Sequence, residues 1–122
     1  MTKEIGIKQK RNYRPLVYIC SPFSGDVEDN TERTKQFCRF ALEQGQIPLA
    51  PQLMFPQFMD DENPEERELA LFMDIVLLGK CSEMWVFGDI ISTGMQAELD
   101  VAKKRKQKIR HFNSEYREVE SL

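Results

Sequence analysis

Little in this chain is built for metal, disulfide or membrane. It has a single histidine, His111, and only three cysteines, Cys20, Cys38 and Cys81. An odd count, no metal-type pairing and apolar surroundings make the cysteines read as buried, reduced thiols. With no second His or Cys near His111, no metal site is expected, and no cofactor either. No apolar run approaches the roughly 20 residues of a membrane span. The opening MTKEIGIKQKRNYRP lacks the apolar stretch of a signal peptide. The expectation is a cytoplasmic protein with no membrane partner. A basic excess is missing too: 17 Lys and Arg face 20 Asp and Glu, for a net charge of -3. That balance argues against a general nucleic-acid binder. The run Lys103-Lys104-Arg105-Lys106 reads instead as a solvated helix end, where cations suit the dipole.

What the chain does have is apolar material. Hydrophobic residues make up 41% of 122 positions, enough for one domain with a core that needs no disulfide. Leu16-Val17-Tyr18-Ile19-Cys20 is a short apolar run stopped by Ser21-Pro22, the pattern of a buried strand running into a loop. Phe37, Phe40, Ala41 and Leu42 give a helix from about Asn30 to Gln44, closed by Gly45. Ile47 to Pro51 reads as a shorter strand that Pro51 ends. Gln52 to Glu62 is too irregular for a regular element and reads as a lid or pocket wall. Its Phe55, Phe58 and Met59 could stack on a flat ligand or pack on their own domain. Asn63-Pro64-Glu65-Glu66 is a helix start, with Asn63 as cap and Glu66 in the capping-box position. That helix runs to about Gly79. A third strand, Glu83 to Gly88, precedes a helix from about Thr93 to Lys106. Lys108 to Phe112 is a fourth strand.

Strands alternating with helices predict a single-domain Rossmann- or flavodoxin-like three-layer α/β sandwich, with a parallel sheet of four or five strands. Ligands of such sheets bind at the C-terminal strand ends, here the loops 20–30, 51–63 and 88–94.

Two acids sit where acids are costly. On a helix of about 100° per residue, Ala102 and Gly94 lie about 40° to either side of Glu98, with Met95 and Val101 about 60° away. Glu98 therefore points into an apolar arc, and Asp100 points away from it. An ionised carboxylate facing a core needs a partner or a polar cavity. Asp74 likewise interrupts Leu69-Ala70-Leu71-Phe72-Met73 and Ile75-Val76-Leu77-Leu78. Arg67 falls about 20° from Asp74 on the same projection and is a candidate charge beyond it. Two inward acids on successive helices suggest a shared pocket, although either could be a structural partner for an Arg, a Tyr or a backbone amide. Gly94, one turn before Glu98, leaves space above the carboxyl group. Ser92 can cap the helix, and the amides of Thr93 and Gly94 at its positive end suit a phosphate or a sugar hydroxyl.

Together, Tyr18-Ile19-Cys20-Ser21-Pro22-Phe23, Asp74, Trp85-Val86-Phe87-Gly88 and Ser92-Thr93-Gly94-Met95-Gln96-Ala97-Glu98 resemble the nucleoside 2-deoxyribosyltransferase-like superfamily, over about residues 16–112. That group holds transferases and deoxynucleoside 5′-monophosphate N-glycosidases, and the similarity is to its small bacterial and phage branch. The resemblance implies cleavage or transfer at the N-glycosidic bond of a nucleoside or nucleotide. It implies Glu98 as nucleophile, Asp74 as proton-handling acid and Tyr18 as the group that positions Glu98. It implies Ser21, Phe23, Ser24, Ser92, Thr93 and Gly94 as substrate contacts, and a homodimer or larger assembly. Two positions depart from the pattern. Ser92 stands where the transferases carry an acid, and Ser24 where the hydrolases carry a phosphate-binding arginine, which leaves Arg67 as the candidate replacement. A non-catalytic nucleotide-binding protein is the alternative reading. The expected layout is a flexible arm over 1–14, the domain over 15–113 and a polar tail over 114–122.

Overall fold

The computed structural model describes residues 13–120. Five strands and four α-helices follow one another as β1 (Leu16–Cys20), α1 (Val27–Glu43), β2 (Ile47–Leu49), α2 (Pro51–Met54), a 3-10 turn (Phe55–Gln57), α3 (Pro64–Leu78), β3 (Glu83–Phe87), α4 (Thr93–Lys104), β4 (Lys108–Phe112) and β5 (Glu118–Val119). They form one five-stranded sheet in the order β2-β1-β3-β4-β5. β1 pairs in parallel with both β2 and β3, and β3 with β4, whereas β5 is antiparallel to β4. This is the flavodoxin-like 2-1-3-4-5 order, and its switch point lies between β1 and β3.

Alternation along the strands divides the core in two. Tyr18, Cys20, Met84 and Val86 face α3 and α4, where they meet Leu78, Met95, Leu99 and Ala102. Val17, Ile19, Trp85 and Phe87 face the other way, onto Phe37 and Ala41 of α1. Phe37 stacks on Phe87 with ring centroids 4.4 Å apart, and Phe87 stacks on Phe112 at 5.2 Å. Side chains of period two on β1 and β3 thus reach both layers.

Several boundaries differ from the sequence reading. α1 begins three residues before Asn30, because Asp26 caps it by accepting the Asp29 amide at 3.1 Å. Pro51 opens α2 rather than merely ending β2, since proline suits a first helical turn. The segment expected to be irregular holds that helix and the 3-10 turn. Asn63 caps α3 as expected, but Glu66 reaches back to the Asp60 amide at 2.8 Å rather than to the cap. The expected C-terminal tail includes a turn and β5, held by Arg110 Nη2 and Glu118 Oε1 at 2.7 Å. The guanidinium of Arg110 also lies over Trp85, 4.9 Å from the ring centroid. Residues 1–12 of the expected arm and 121–122 of the tail lie outside the described residues. Arg14 is not loose: its Nη1 donates to the Leu42 carbonyl at 3.1 Å, near the end of α1. No helix among the described residues is long and apolar enough to cross a membrane.

Candidate active site

The site is assembled from β1, α3 and α4. Glu98 stands on the inner face of α4, only 9% exposed, and Asp100 on the outer face bonds Gln96 in solvent. Its carboxylate meets two donors from alternate residues of one strand. The Tyr18 hydroxyl donates to Oε2 at 2.8 Å, and the Cys20 thiol donates to Oε1 at 3.5 Å. Asp74 approaches from α3, within hydrogen-bonding reach of Glu98 when one of the two carries a proton. Its Oδ1 is buried and receives no hydrogen bond from a donor among the described residues.

These surroundings set the charges. Burial raises the Asp74 carboxyl from its ordinary 3.8 to about 8, and the neighbouring Glu98 charge adds to the rise. Burial raises Glu98 as well, but hydrogen bonds from Tyr18, Asp74 and Cys20 pull it back down. Two donors on β1, Tyr18 and Cys20, favour the ionised form of Glu98, and nothing comparable favours an ionised Asp74. The shared proton therefore sits on Asp74 and the negative charge on Glu98. Tyr18 is pushed far above the ordinary phenol value, by burial first and then by the Glu98 charge, so it remains a donor.

The start of α4 is open. A Cβ built on Gly94 would meet nothing within 4 Å, so the exposed position one turn before Glu98 is open. Thr93, the first residue of α4, is exposed. Ser92 caps the helix by accepting the Met95 amide at 3.2 Å, which leaves its hydroxyl proton free to be donated.

Beside this edge is a cavity of about 380 Å³ whose lining includes Ser24, Asn30, Arg33, Phe37, Asp89 and Ser92. It opens at the β1–β3 switch point, between the loop after β1 and the loop after β3. Gly88, with φ of 101°, makes the turn out of β3 at its wall. Tyr18, Asp74 and Glu98 do not line this cavity; it is their neighbour rather than their container.

Other expected contacts are placed differently. Ser21 is buried, and its hydroxyl bonds Thr34 Oγ1 at 2.8 Å while accepting from Gln52 Nε2 at 2.8 Å. It braces the loop instead of facing the cleft. Phe23 is half-buried and does not line the cavity, whereas Ser24 does. Arg67 is a correction. Its Nε donates to the Asp61 carbonyl at 3.0 Å, and its side chain is 64% exposed. Seven residues of helix put it about 10 Å along the axis from Asp74, too far to share a pocket however well their directions agree.

Three contributors escaped the sequence reading. Cys20 could have been found from alternation, since it shares a strand face with Tyr18. Arg33 lies one turn before Phe37 in α1 and lines the cavity, a place the apolar pattern of the helix does not mark. It is half-exposed, 3.7 Å from Asp29. Gln52, which ties Ser21, Thr34 and the Pro22 carbonyl together, had no sequence signal at all. No group of three or more His, Cys, Asp or Glu among the described residues is placed to hold a metal ion.

A flavodoxin-like sheet with a buried Glu98 and a half-buried Asp74 paired on one of its faces is the architecture these features define. In fold the chain is similar to the 2-deoxyribosyltransferase of the psychrotolerant bacterium Bacillus psychrosaccharolyticus, with a TM-score of 0.60 and 18% identity over 80% of this chain and 71% of that one. The chain belongs to the family described as Domain of unknown function (DUF7768), whose family model matches residues 15–112. A comparison with curated protein sequences gives no match.

The shared proton has a consequence for stability. Between about pH 4 and about pH 8 the folded protein keeps the Asp74 proton that the unfolded chain releases, so stability falls as pH rises through that window. Asp74→Asn has no such proton to lose. Its melting temperature is expected to match the wild type's near the low end and to exceed it at the high end, by at least about 1 kcal/mol of stability. Thermal melts across that range check this; parallel curves for the two proteins would contradict it.

Proposed function

We propose that this protein cleaves or transfers at the N-glycosidic bond of a deoxynucleoside or its 5′-monophosphate. The observation that carries the reading is the carboxyl pair: a buried, ionised Glu98 held by Tyr18, beside a half-buried Asp74 that keeps its proton. The fold shared with a 2-deoxyribosyltransferase supports the same reading. Glu98 attacks the anomeric carbon as the bond to the base breaks, and the electron pair of that bond leaves with the base. Asp74 gives its proton to the base. The resulting glycosyl ester is opened by water or by an acceptor base, and Asp74, now ionised, takes the proton released. Two carboxyl groups whose surroundings push them to opposite protonation states are what such an exchange requires.

The cavity supports the monophosphate form. Arg33 on its lining, with the Ser92 hydroxyl and the start of α4, offers donors to a phosphate, while Asn30 is spent on the Phe23 and Ser24 carbonyls. Arg33 takes the part that Arg67 cannot. One observation favours a rival reading, in which the protein binds a nucleotide without turning it over: the cavity lies beside the carboxylates and is not lined by them.

We also read the protein as a homodimer or larger assembly. Leu69, Phe72 and Val76 make an exposed apolar stripe along α3, on the helix that carries Asp74, and a second copy is the occupant we assign to it. Sedimentation should give more than one chain per particle, and Phe72→Asp should reduce it to the monomer; a monomeric wild type ends this reading.

Incubation with a panel of deoxynucleosides and their 5′-monophosphates, with and without an acceptor base, tests the activity. The wild type should release base, and Glu98→Ala should lose at least about 10³-fold of the rate while keeping its fold. Full activity in Glu98→Ala rules out the assigned nucleophile. Thermal stabilisation by a nucleotide with no base released would establish the binder instead. Arg33→Ala should lower kcat/KM for monophosphates by roughly 10–100-fold, the worth of a charge-assisted hydrogen bond, and leave nucleosides nearly untouched. An equal loss on both substrate types would remove Arg33 from phosphate recognition.

A further inference from the structure

Cys20 is fully buried, at 0% exposure, on the same face of β1 as Tyr18. A buried thiol in such a layer ordinarily serves as a small hydrophobe. This one does more, because its Sγ lies 3.5 Å from Glu98 Oε1 while the tyrosine holds Oε2. We infer that Cys20 is a positioning residue for Glu98, its thiol forming with the Tyr18 hydroxyl a two-point clamp that fixes the plane of the carboxylate.

The geometry separates the duties of the two donors. A single hydrogen bond leaves a carboxylate free to turn about its own axis, whereas one bond to each oxygen removes that freedom. Both donors come from one strand, two residues apart, so their spacing is set by the strand repeat and not by flexible side chains. Pinning the lone pair that each donor uses leaves the remaining lone pairs of Glu98 aimed away from β1, toward α3 and the cleft. Orientation of this kind is what turns a nearby nucleophile into an aligned one.

The groups facing Glu98 are few. β1 presents Tyr18 and Cys20, α3 presents Asp74, and β3 contributes only the apolar Met84 and Val86 to this layer. Loss of the thiol therefore removes one of three groups that hold Glu98 in its charged form, and nothing else in the layer can replace it. S–H is a weak donor, so the effect is modest but of definite sign: Glu98 should take up its proton at higher pH.

The clamp does not depend on turnover for its test, although its catalytic meaning rests on the function proposed above. The whole chain, labelled with ¹³C at the glutamate carboxyls, is titrated by NMR, with Glu98→Gln identifying the Glu98 signal. Cys20→Val fills the site without a donor, Cys20→Ala is a smaller second choice if valine prevents folding, and Cys20→Ser restores a donor. The Glu98 midpoint should rise by about half a pH unit or more in Cys20→Val or Cys20→Ala and return toward the wild-type value in Cys20→Ser. In infrared spectra, the buried S–H stretch lost in Cys20→Val should lie at the hydrogen-bonded end of its range and move toward the free end in Glu98→Gln. An unchanged midpoint, or an S–H band indifferent to Glu98→Gln, overturns the clamp whether or not the protein is an enzyme. If base release is observed, Cys20→Val should lower kcat about 3- to 10-fold with KM unchanged, and raise the acid limb of the pH profile. A full rate with an unshifted profile would deny Cys20 its positioning role, even with the hydrogen bond in place. A wild type that releases no base but shows the titration shift would reject the proposed function and leave the clamp standing.

Discussion

Glu98 is buried in the layer between the sheet and α4, and a carboxylate in that position survives only because β1 meets it with hydrogen-bond donors. Removing a charge from water costs several kcal/mol unless the protein replaces what the water supplied. Here the replacement comes mainly from Tyr18, whose hydroxyl is 2.8 Å from the carboxylate. That bond joins the central strand to the last large helix across the core, so fold and site are not separable features. The tyrosine is itself 1% exposed, and its oxygen has no other protein acceptor in the layer described above. Each group therefore makes the burial of the other tolerable.

From that bond the state of Asp74 follows. Once Glu98 is ionised and satisfied, a second carboxyl group at hydrogen-bonding range cannot also be ionised without strong repulsion. Asp74 keeps its proton and becomes a donor rather than a second anion. The helical projection carries no signal for this difference between two acids of similar ordinary acidity, which only the family resemblance implied; it arises because β1 offers its donors to one of them only. Asp74 Oδ1 is buried and no neighbouring N–H or O–H among the described residues donates to it, a further reason for this carboxyl group to keep its proton.

Much of this was legible in the residues. The strand and helix periods placed β1, β3, β4, α3 and α4 within a residue or two, because each carries an apolar pattern, with Ser-Pro after β1, Asn-Pro at the start of α3, and Gly79 and Gly88 after α3 and β3. The inward direction of Glu98 and Asp74 could be read from the helical projection alone. What failed did so for a physical reason. A projection gives direction and height but not what a side chain binds: Arg67, two turns before Asp74 on the same line, is held by Asp61. Ser21 looked like a cleft residue because it follows β1, yet its hydroxyl is taken by Thr34 and Gln52, from elements far apart in the chain. The antiparallel β5 was read as tail because two residues are too short to show a strand period. Cys20 was read as a hydrophobe, which its surroundings justify and its one polar contact overturns.

The parts of the site differ in how firmly they are held, and that difference shapes what each can do. Tyr18, Cys20, Asp74 and Glu98 stand on a central strand and two long helices, where a shift of one side chain disturbs the core on both sides. Ser24, Asn30, Arg33 and Asp89 stand on loops or on the half-exposed start of α1, at the mouth of the cavity. Gln52 and Thr34 anchor the first of those loops from below, at Ser21 and Pro22, and Asn30 Nδ2 ties down the Phe23 and Ser24 carbonyls, so the loop is held by α1 and α2 independently of the carboxyl pair. Such a division lets the cavity mouth change its charge and shape without moving the carboxyl pair. The chemistry of the pair is thus set by the sheet, and the identity of what reaches it by the two loops at the switch point.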